Sequence, residues 1–216
     1  MKYGESTFDI IYLVYAIVMG VLILRRRRDE IGKLMGGAVL ILGCGDAFHL
    51  IPRVLNYFIS GGFTAWLGFG KLVTSITMTV FYLLLYRLWL KAYGEREDRR
   101  LSMAVYVLTA VRILLCLLPQ NRWLQNDGSV LWGVIRNIPF VILGGMDVWL
   151  YFRKRGEIRK FRYVWLLITL SFLFYIPVAV AASLVPMLGM LMLPKTVCYM
   201  LLIWAFWSAS AQREKR

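Results

Sequence analysis

The chain has few of the residues that build soluble enzymes, disulfide frameworks or metal centres. It contains three cysteines, one histidine and only 18% charged residues in a length of 216. The cysteines lack C-x-x-C spacing and, with a single histidine, they argue against a tetrahedral metal site of N/S ligands. No G-x-S-x-G elbow and no phosphate-cradling loop is present. We therefore predict neither a cofactor nor a metal ion, and the shortage of charge excludes a soluble enzyme.

The residues that are abundant are apolar or basic. Apolar side chains make up 60% of the chain, the mean hydropathy is +0.64, and 26 Lys and Arg against 12 Asp and Glu give a formal charge of +14. An apolar composition of this kind excludes a disordered chain and a secreted disulfide scaffold. It indicates a polytopic membrane protein.

Seven segments are long and apolar enough to cross a membrane, since a spanning helix needs about 20 mostly apolar residues. Turns with helix-breaking residues, such as Ser60-Gly61-Gly62 and Asp127-Gly128, separate several of them. We predict an all-α transmembrane bundle in which residues 1–216 form a single integral membrane domain. The predicted spans are Phe8–Leu24, Leu34–Ile59, Trp66–Leu90, Met103–Leu118, Ser129–Phe152, Tyr163–Val185 and Leu188–Ser208.

Most of the basic residues fall on one side of this topology. They follow the first, third and fifth spans and the last one, whereas the other side has only Lys2 and Arg122. Lys and Arg concentrate in cytoplasmic loops, so we predict an N-terminus outside and a C-terminus inside the cell membrane. Basic loops also suit anionic lipid, and we expect membrane lipid rather than nucleic acid as a partner. The basic residues of this side are Arg25 to Arg28, Lys33, Arg87, Lys91, Arg96, Arg99, Arg100, Arg153 to Arg155, Arg159, Lys160, Arg162, Arg213, Lys215 and Arg216.

A small set of ionisable residues remains inside the predicted spans. Ionisable groups at this depth are costly, so they normally face the bundle interior or a wet cavity and mark function. Alternatively, they pair with one another and hold the helices together. Away from the span ends, the set consists of the cations Arg53, Lys71, Arg112, Arg136 and Lys195, the acids Asp46 and Asp147, and the single histidine, His49.

The spacing of these residues favours a shared site. Asp46, His49 and Arg53 lie at i, i+3 and i+7 and therefore share one helix face. Four cations lie on different helices at nearly the same depth, about 8 to 11 Å below the outer surface at a rise of 1.5 Å per residue. They are Arg53, Lys71, Arg136 and Lys195. A ring of like charges requires an anion, so we predict a phosphate-bearing or other small anionic ligand. The predicted binding residues are Arg53, Lys71, Ser75, Arg136, Lys195 and Tyr199.

Asp46, Asp147 and His49 are the predicted catalytic residues. Two acids in different environments can supply one protonated and one ionised carboxyl group, as general acid–base catalysis requires. Asp46 is expected near the middle of the membrane and Asp147 closer to the basic loops, about 9 Å apart along the membrane normal. Whether the two acids meet is left open by their spacing.

Two segments resemble the YhhN-type lysoplasmalogenase family of membrane proteins. Gly45-Asp46-Ala47-Phe48-His49-Leu50-Ile51-Pro52-Arg53 is similar to the family's Gly-Asp segment, and Gly144-Gly145-Met146-Asp147-Val148-Trp149-Leu150 is similar to a later segment. The resemblance implies hydrolysis of the vinyl-ether bond of lysoplasmalogens, with Asp46 and Asp147 as acid and base. The alternatives are a non-enzymatic binder, transporter or receptor-like protein for a small anion or lipid, and a bundle whose buried charges only pair with one another.

Overall fold

The computed structural model describes residues 2–59, 62–125, 128–181 and 185–211. This part of the chain is helical and contains no strand, and all seven helices are long and apolar enough to cross a membrane. The predicted all-α fold with seven spans is therefore confirmed. The helices are α1 (Lys2–Arg26), α2 (Glu30–Phe58), α3 (Thr64–Ala92), α4 (Arg99–Leu117), α5 (Val130–Arg153), α6 (Val164–Ala181) and α7 (Met192–Ser210), with 3-10 turns at Pro119–Asn121, Arg159–Phe161 and Pro186–Leu191.

The helix ends differ from the predicted spans by a few residues. Helix α1 begins six residues before the predicted Phe8 because a helix continues into polar flanks beyond its apolar core. Helix α7 begins at Met192 rather than Leu188, since the preceding residues form a 3-10 turn that starts with Pro186. Ser60, Gly61, Asp127 and the basic residues of the C-terminal tail lie outside the described residues.

The three basic loops, residues 27–29, 93–98 and 154–163, lie at one end of the bundle, which we call the basic end. Lys91 at the end of α3 pairs with Glu30 at the start of α2, at 3.0 Å. Lys154 after α5 pairs with Glu95 after α3, at 2.6 Å. These contacts join loops that the alternating topology places on the same side. We call the other end of the bundle the opposite end; the orientation in the membrane stays a prediction.

Glycines allow α1, α2 and α3 to pack closely, as small residues do between membrane helices. A side chain at Gly36 would overlap Leu24 of α1, and one at Gly70 would overlap the Phe48 backbone of α2. Gly144 is likewise closed off by the Phe172 ring, whereas Gly37 and Gly145 face open space. In each of the pairs Gly36-Gly37 and Gly144-Gly145, therefore, one glycine packs against a neighbouring helix and the other does not.

An aromatic core fills the bundle between α3, α5, α6 and α7. The Tyr82 ring lies 5.2 Å from both Phe140 and Phe172, centroid to centroid, and Phe81 lies 5.9 Å from Tyr199. All five side chains are buried. The core therefore separates the polar groups of the two ends, apart from the hydroxyl groups of Tyr82 and Tyr199.

Candidate functional site

Two polar stripes meet where α1 packs antiparallel to α2 near the opposite end. Glu5, Asp9 and Tyr12 are spaced i, i+4 and i+7 on α1 and face the predicted stripe on α2. Glu5 forms a salt bridge with Arg53, and Tyr57 donates a 3.0 Å hydrogen bond to Glu5 Oε2. The stripe on α1 therefore supplies acidic residues that the spacing of the ionisable residues on α2 does not predict.

Asp46 and Asp9 form a pair of acids on the facing stripes. The hydroxyl of Tyr12 donates a 2.6 Å hydrogen bond to Asp46 Oδ2. Asp9 is only 4% exposed and lies within electrostatic range of Asp46. Its Oδ2 atom has no hydrogen-bond partner in the described part of the chain, and neither has the buried hydroxyl of Ser6 one turn away. Two buried polar groups of α1 therefore have hydrogen-bonding capacity that the described residues do not use.

Helix α3 orients His49. The His49 Nδ1 atom lies 2.9 Å from the hydroxyl oxygen of Thr74, which donates its own proton to the Gly45 carbonyl at 2.9 Å. Since that proton is already engaged, the Thr74 oxygen accepts from Nδ1–H. The Nε2 atom of the neutral ring is then the basic nitrogen. Asp46, Lys195 and Lys71 all act electrostatically on this ring.

Lys195 on α7 adds a cation beside the acids. Its Nζ atom lies 4.9 Å from the ring centroid of Tyr175 and 5.3 Å from that of Tyr199. Asp46 lies within electrostatic range of Lys195, but no carboxylate of the described residues approaches it within 4.0 Å. We call Asp9, Tyr12, Asp46, His49 and Lys195 the polar cluster.

Two arginines, one on α4 and one on α5, add further positive charge at this end of the bundle. Arg112 is 2% exposed and donates to the Arg136 carbonyl and, at 3.0 Å, to Asn137 Oδ1. Arg136 donates to Asn121 at 2.8 Å and lies 4.3 Å from the ring centroid of Trp123. Tyr175, under Lys195, donates to the same Asn137 oxygen at 2.8 Å. Neither arginine has a carboxylate partner among the residues described.

The ring of four cations stays a prediction, and the salt bridge of one member lowers its charge. Arg53 is neutralised by Glu5. Lys71 reaches the bundle surface and lies within electrostatic range of Arg53 and Arg136. The hydroxyl of Ser75 donates to the Lys71 carbonyl of its own helix at 2.8 Å, so its donor is already used.

Asp147 lies apart from the polar cluster. It is 1% exposed near the basic end of α5, and neither carboxylate oxygen has a hydrogen-bond partner among the described side chains. Tyr82 and Tyr151 are the groups within its electrostatic range. The structure therefore brings Asp46 together with Asp9, and it forms no contact between Asp46 and Asp147.

Three members of the polar cluster, Asp46, His49 and Lys195, were among the predicted site residues, whereas the acids of α1 were missed. The signal was available, since Glu5, Asp9 and Tyr12 repeat the helical spacing of Asp46, His49 and Arg53. Their position near the start of the first span made them look like interfacial residues. The role of Asn137 and Tyr175 as bridges between cations depends on packing and carries no sequence signal.

Two further features limit what the site can hold. Among the described residues no group of three or more His, Cys, Asp or Glu side chains is arranged to bind a metal ion. Two apolar grooves of about 380 and 240 Å³ lie on the surface of α1 and between α1 and α2. Their walls contain no member of the polar cluster, so the grooves do not form part of it.

Comparison with known proteins assigns the chain to no family. No protein-family model matches it, and no curated protein and no solved structure is significantly similar to it. The resemblance of the segments around Asp46 and Asp147 to lysoplasmalogenases therefore stays a prediction. Functional conclusions depend on the geometry of the site.

Proposed function

We propose that this integral membrane protein binds the phosphate-bearing head group of a single-chain lipid at the polar cluster and hydrolyses a vinyl-ether bond of that lipid. One observation carries the proposal. The buried oxygens of Ser6 and Asp9, which have no partner in the described part of the chain, lie at the same end of the bundle as Lys195 and Arg136, two cations that no described carboxylate approaches within 4.0 Å. Such a site provides acceptors for a ligand's hydroxyl or ammonium group and cations for its phosphate.

The charge balance favours an anionic ligand. With Arg53 neutralised by Glu5, the other acids of this half in the described part of the chain are Asp9 and Asp46. They are outnumbered by cations of the same half of the bundle, and like charges held together are stabilised by a bound anion. Arginine contributes two parallel donors to a phosphate, and lysine contributes a point charge. The cations concerned are Arg112, Arg136 and Lys195, none of which has a carboxylate within 4.0 Å among the described residues.

The two adjacent acids suit the chemistry of a vinyl ether. A carboxylic acid donates its proton to the vinyl carbon that is not bonded to the ether oxygen, and the resulting oxocarbenium ion takes up water that a base deprotonates. The hemiacetal then collapses to a fatty aldehyde and the free hydroxyl of the head group, so one water is consumed per bond cleaved. Asp9 and Asp46 fill the acid and base roles, and His49 offers its Nε2 atom as a further base. Asp147 takes no part in this step.

Turnover of a defined substrate tests the reaction. We expect purified protein in lipid nanodiscs to release fatty aldehyde from a lysoplasmalogen. Asp46→Asn and Asp9→Asn should each lower the rate by about 100-fold or more, the usual contribution of a general acid or base. Glu30→Gln, which changes an acid at the basic end, should keep the wild-type rate. No aldehyde from the wild type, or full activity in Asp46→Asn, would show that the hydrolytic mechanism is wrong.

Binding of the head group is tested separately. We expect glycerophosphocholine to bind saturably, and Lys195→Met to weaken this binding about 10-fold or more because a charge-assisted contact is lost. Lys91→Met at the basic end is the matched control and should bind like the wild type. Saturable binding without aldehyde release would favour the alternative, a non-enzymatic binder or transporter of the same anionic group. Unchanged affinity in Lys195→Met would contradict the proposed site.

We also place the protein in the cell membrane with its basic end towards the cytoplasm. The support is the concentration of Lys and Arg in the three loops of that end. A single cysteine introduced at Arg155 or Arg96, in a variant without the three native cysteines, should resist a membrane-impermeant thiol reagent in intact cells. Labelling at these positions before the membrane is opened would reverse the orientation.

A further inference from the structure

Asn137 on α5 is a hydrogen-bond acceptor that two neighbouring helices share. Its Oδ1 atom accepts from Arg112 Nη2 of α4 at 3.0 Å and from the hydroxyl of Tyr175 of α6 at 2.8 Å. Its Nδ2 atom donates to the Gly133 carbonyl at 2.8 Å. Because these contacts use both ends of the amide group, they define its orientation. Asn137 therefore joins α4, α5 and α6 in the half of the bundle that contains the polar cluster.

Tyr175 extends this connection to Lys195 on α7. The Lys195 Nζ atom lies 4.9 Å from the centroid of the Tyr175 ring and 5.3 Å from that of the Tyr199 ring. Each ring is held at its hydroxyl group. The Tyr175 hydroxyl donates to Asn137, and the Tyr199 hydroxyl lies 3.2 Å from that of Tyr82. The two rings therefore define where the ammonium group of Lys195 lies.

The ammonium group of Lys195 has unused donors. The side chain is only half-buried, and its Nζ atom forms no hydrogen bond with any described residue. No described carboxylate lies within 4.0 Å of it either. The face of an aromatic ring attracts the charge of an ammonium group, but it does not replace the oxygen acceptors that three N–H donors require. An accessible ammonium group held in this way is suited to binding an oxyanion.

The acceptors that hold the neighbouring cations are electrically neutral. Arg112 donates to the Asn137 amide and the Arg136 carbonyl. Arg136 donates to the Asn121 amide at 2.8 Å. Buried cations are normally paired with acids, and an aspartate of nearly the same shape would offer the same acceptor oxygen with a negative charge. Amides at these positions leave the positive charge uncompensated within the described part of the chain.

We propose that Asn137 is a positioning residue of an oxyanion site at Lys195, and that its neutral amide leaves the positive charge of this site available to the ligand. The inference rests on the proposed function, because it assigns a further residue to the same head-group site. The ligand chemistry is that of a phosphate group, which a lipid head group or free phosphate can supply. Asn137 acts through Tyr175 and Arg112.

The substitution Asn137→Asp tests the role of the neutral amide. It keeps an acceptor for Arg112 and Tyr175 and adds a counter-charge, so we expect inorganic phosphate to bind about 10-fold or more weakly than to the wild type. Titration calorimetry of protein in nanodiscs of zwitterionic lipid measures the affinity. Asn56→Asp, at an exposed asparagine near the same end of the bundle, is the matched control and should keep the wild-type affinity.

The substitution Tyr175→Phe tests the connection to Lys195, and it also tests the proposal if Asn137→Asp does not fold. It keeps the ring beside Lys195 and removes the hydrogen bond that holds this ring. Phosphate should therefore bind about 3- to 10-fold more weakly, the usual effect of one hydrogen bond. Tyr163→Phe, at an exposed tyrosine of the basic end, should bind like the wild type. Thermal unfolding without phosphate shows which variants are folded, and a purely structural role of Asn137 would change the melting temperature but not the affinity.

Glycerophosphocholine, titrated in parallel, separates the two sources of the phosphate group. Phosphate binding alone, weakened in Asn137→Asp, would contradict the proposed function and support the role of Asn137. Glycerophosphocholine binding that is weakened in Asn137→Asp would support both. Wild-type affinity for both probes in a folded Asn137→Asp variant would overturn the inference and leave the proposed head-group site intact. Wild-type affinity in Tyr175→Phe, or a wild type that binds neither probe, would also overturn it.

Discussion

The hydroxyl of Tyr12 on α1 donates a 2.6 Å hydrogen bond to a carboxylate oxygen of Asp46 on α2. This bond is buried and joins the two helices at the level of the polar cluster. The neighbouring acid, Asp9, receives no comparable bond on its Oδ2 atom from any described residue. The two acids therefore occupy different environments although they lie side by side, which is the asymmetry that acid–base chemistry needs.

Removing the Tyr12 hydroxyl should destabilise the bundle. Tyr12→Phe leaves the buried Asp46 carboxylate without its donor, and we expect a loss of about 1 to 3 kcal/mol in the free energy of unfolding. Thermal unfolding in detergent measures it. Tyr57→Phe is the control and should lose less, because its acceptor Glu5 keeps the Arg53 salt bridge. A Tyr12→Phe variant as stable as the wild type would contradict this prediction.

The Glu5–Arg53 salt bridge should contribute more than a surface ion pair. Its side chains are 22% and 28% exposed, against 58% and 45% for Glu30 and Lys91 at the basic end. A double-mutant cycle with Glu5→Gln and Arg53→Gln should give a coupling energy of about 1 to 3 kcal/mol, between surface and fully buried pairs. The same cycle at Glu30 and Lys91 should give about 0 to 1 kcal/mol. Equal couplings would show that partial burial does not strengthen the first pair.

A side chain at Gly70 should disturb His49. A Cβ atom there would overlap the Phe48 carbonyl and the His49 backbone, neither of which can turn aside. Gly70→Ala should therefore destabilise the protein by about 1 to 3 kcal/mol, the range typical of overpacking, and lower turnover. Gly37→Ala, in open space on the neighbouring helix α2, is the matched control and should leave stability and turnover near wild type. A harmless Gly70→Ala would mean that α2 and α3 separate easily.

Acid should weaken the N-cap of α2. Partial burial raises the pKa of Asp29, but hydrogen bonds from Arg27 and the Gly32 amide lower it by more, so the pKa lies below its usual range. A lowered pKa stabilises the fold above the unfolded value of about 3.9, and this contribution is lost as pH falls through the folded value. Asp29→Ala should lose about 1 kcal/mol at neutral pH.

The comparison of the two proteins across pH checks the sign. The difference in melting temperature between wild type and Asp29→Ala should be constant from about pH 7 to pH 5 and shrink below about pH 4. Asp98→Ala removes the corresponding N-cap of α4 and measures how much such a cap contributes to the stability of another helix. A difference that grows on acidification would contradict the lowered pKa.

The helices and their order along the chain were predictable because the hydropathy of a segment depends only on the residues of that segment. A run of about 20 apolar residues leaves its backbone no hydrogen-bond partners in lipid except its own, so helix formation follows from composition. The ends were less predictable. Helix α7 begins four residues later than predicted because Pro186 starts a 3-10 turn, a choice that hydropathy does not record.

The membership of the site was predictable only in part. Asp46, His49 and Arg53 stood out because ionisable residues in an apolar span are rare and share one face. Asp9 and Glu5 did not stand out, since acids near the start of a span are common at the interface. Their importance follows from the register of α1 against α2, in which Glu5 meets Arg53 and Tyr12 meets Asp46.

The sequence by itself determined that this is a seven-helix integral membrane protein and which of its charged residues lie in apolar surroundings. Only the tertiary structure decided which of those charges meet. It placed Asp46 beside Asp9 rather than Asp147, neutralised Arg53 with Glu5, and left Lys195 and Arg112 without acids among the described residues. The physical reason is that the placement of a segment in the membrane depends on the composition of that segment alone. Pairing depends on how every helix is rotated and shifted against its neighbours.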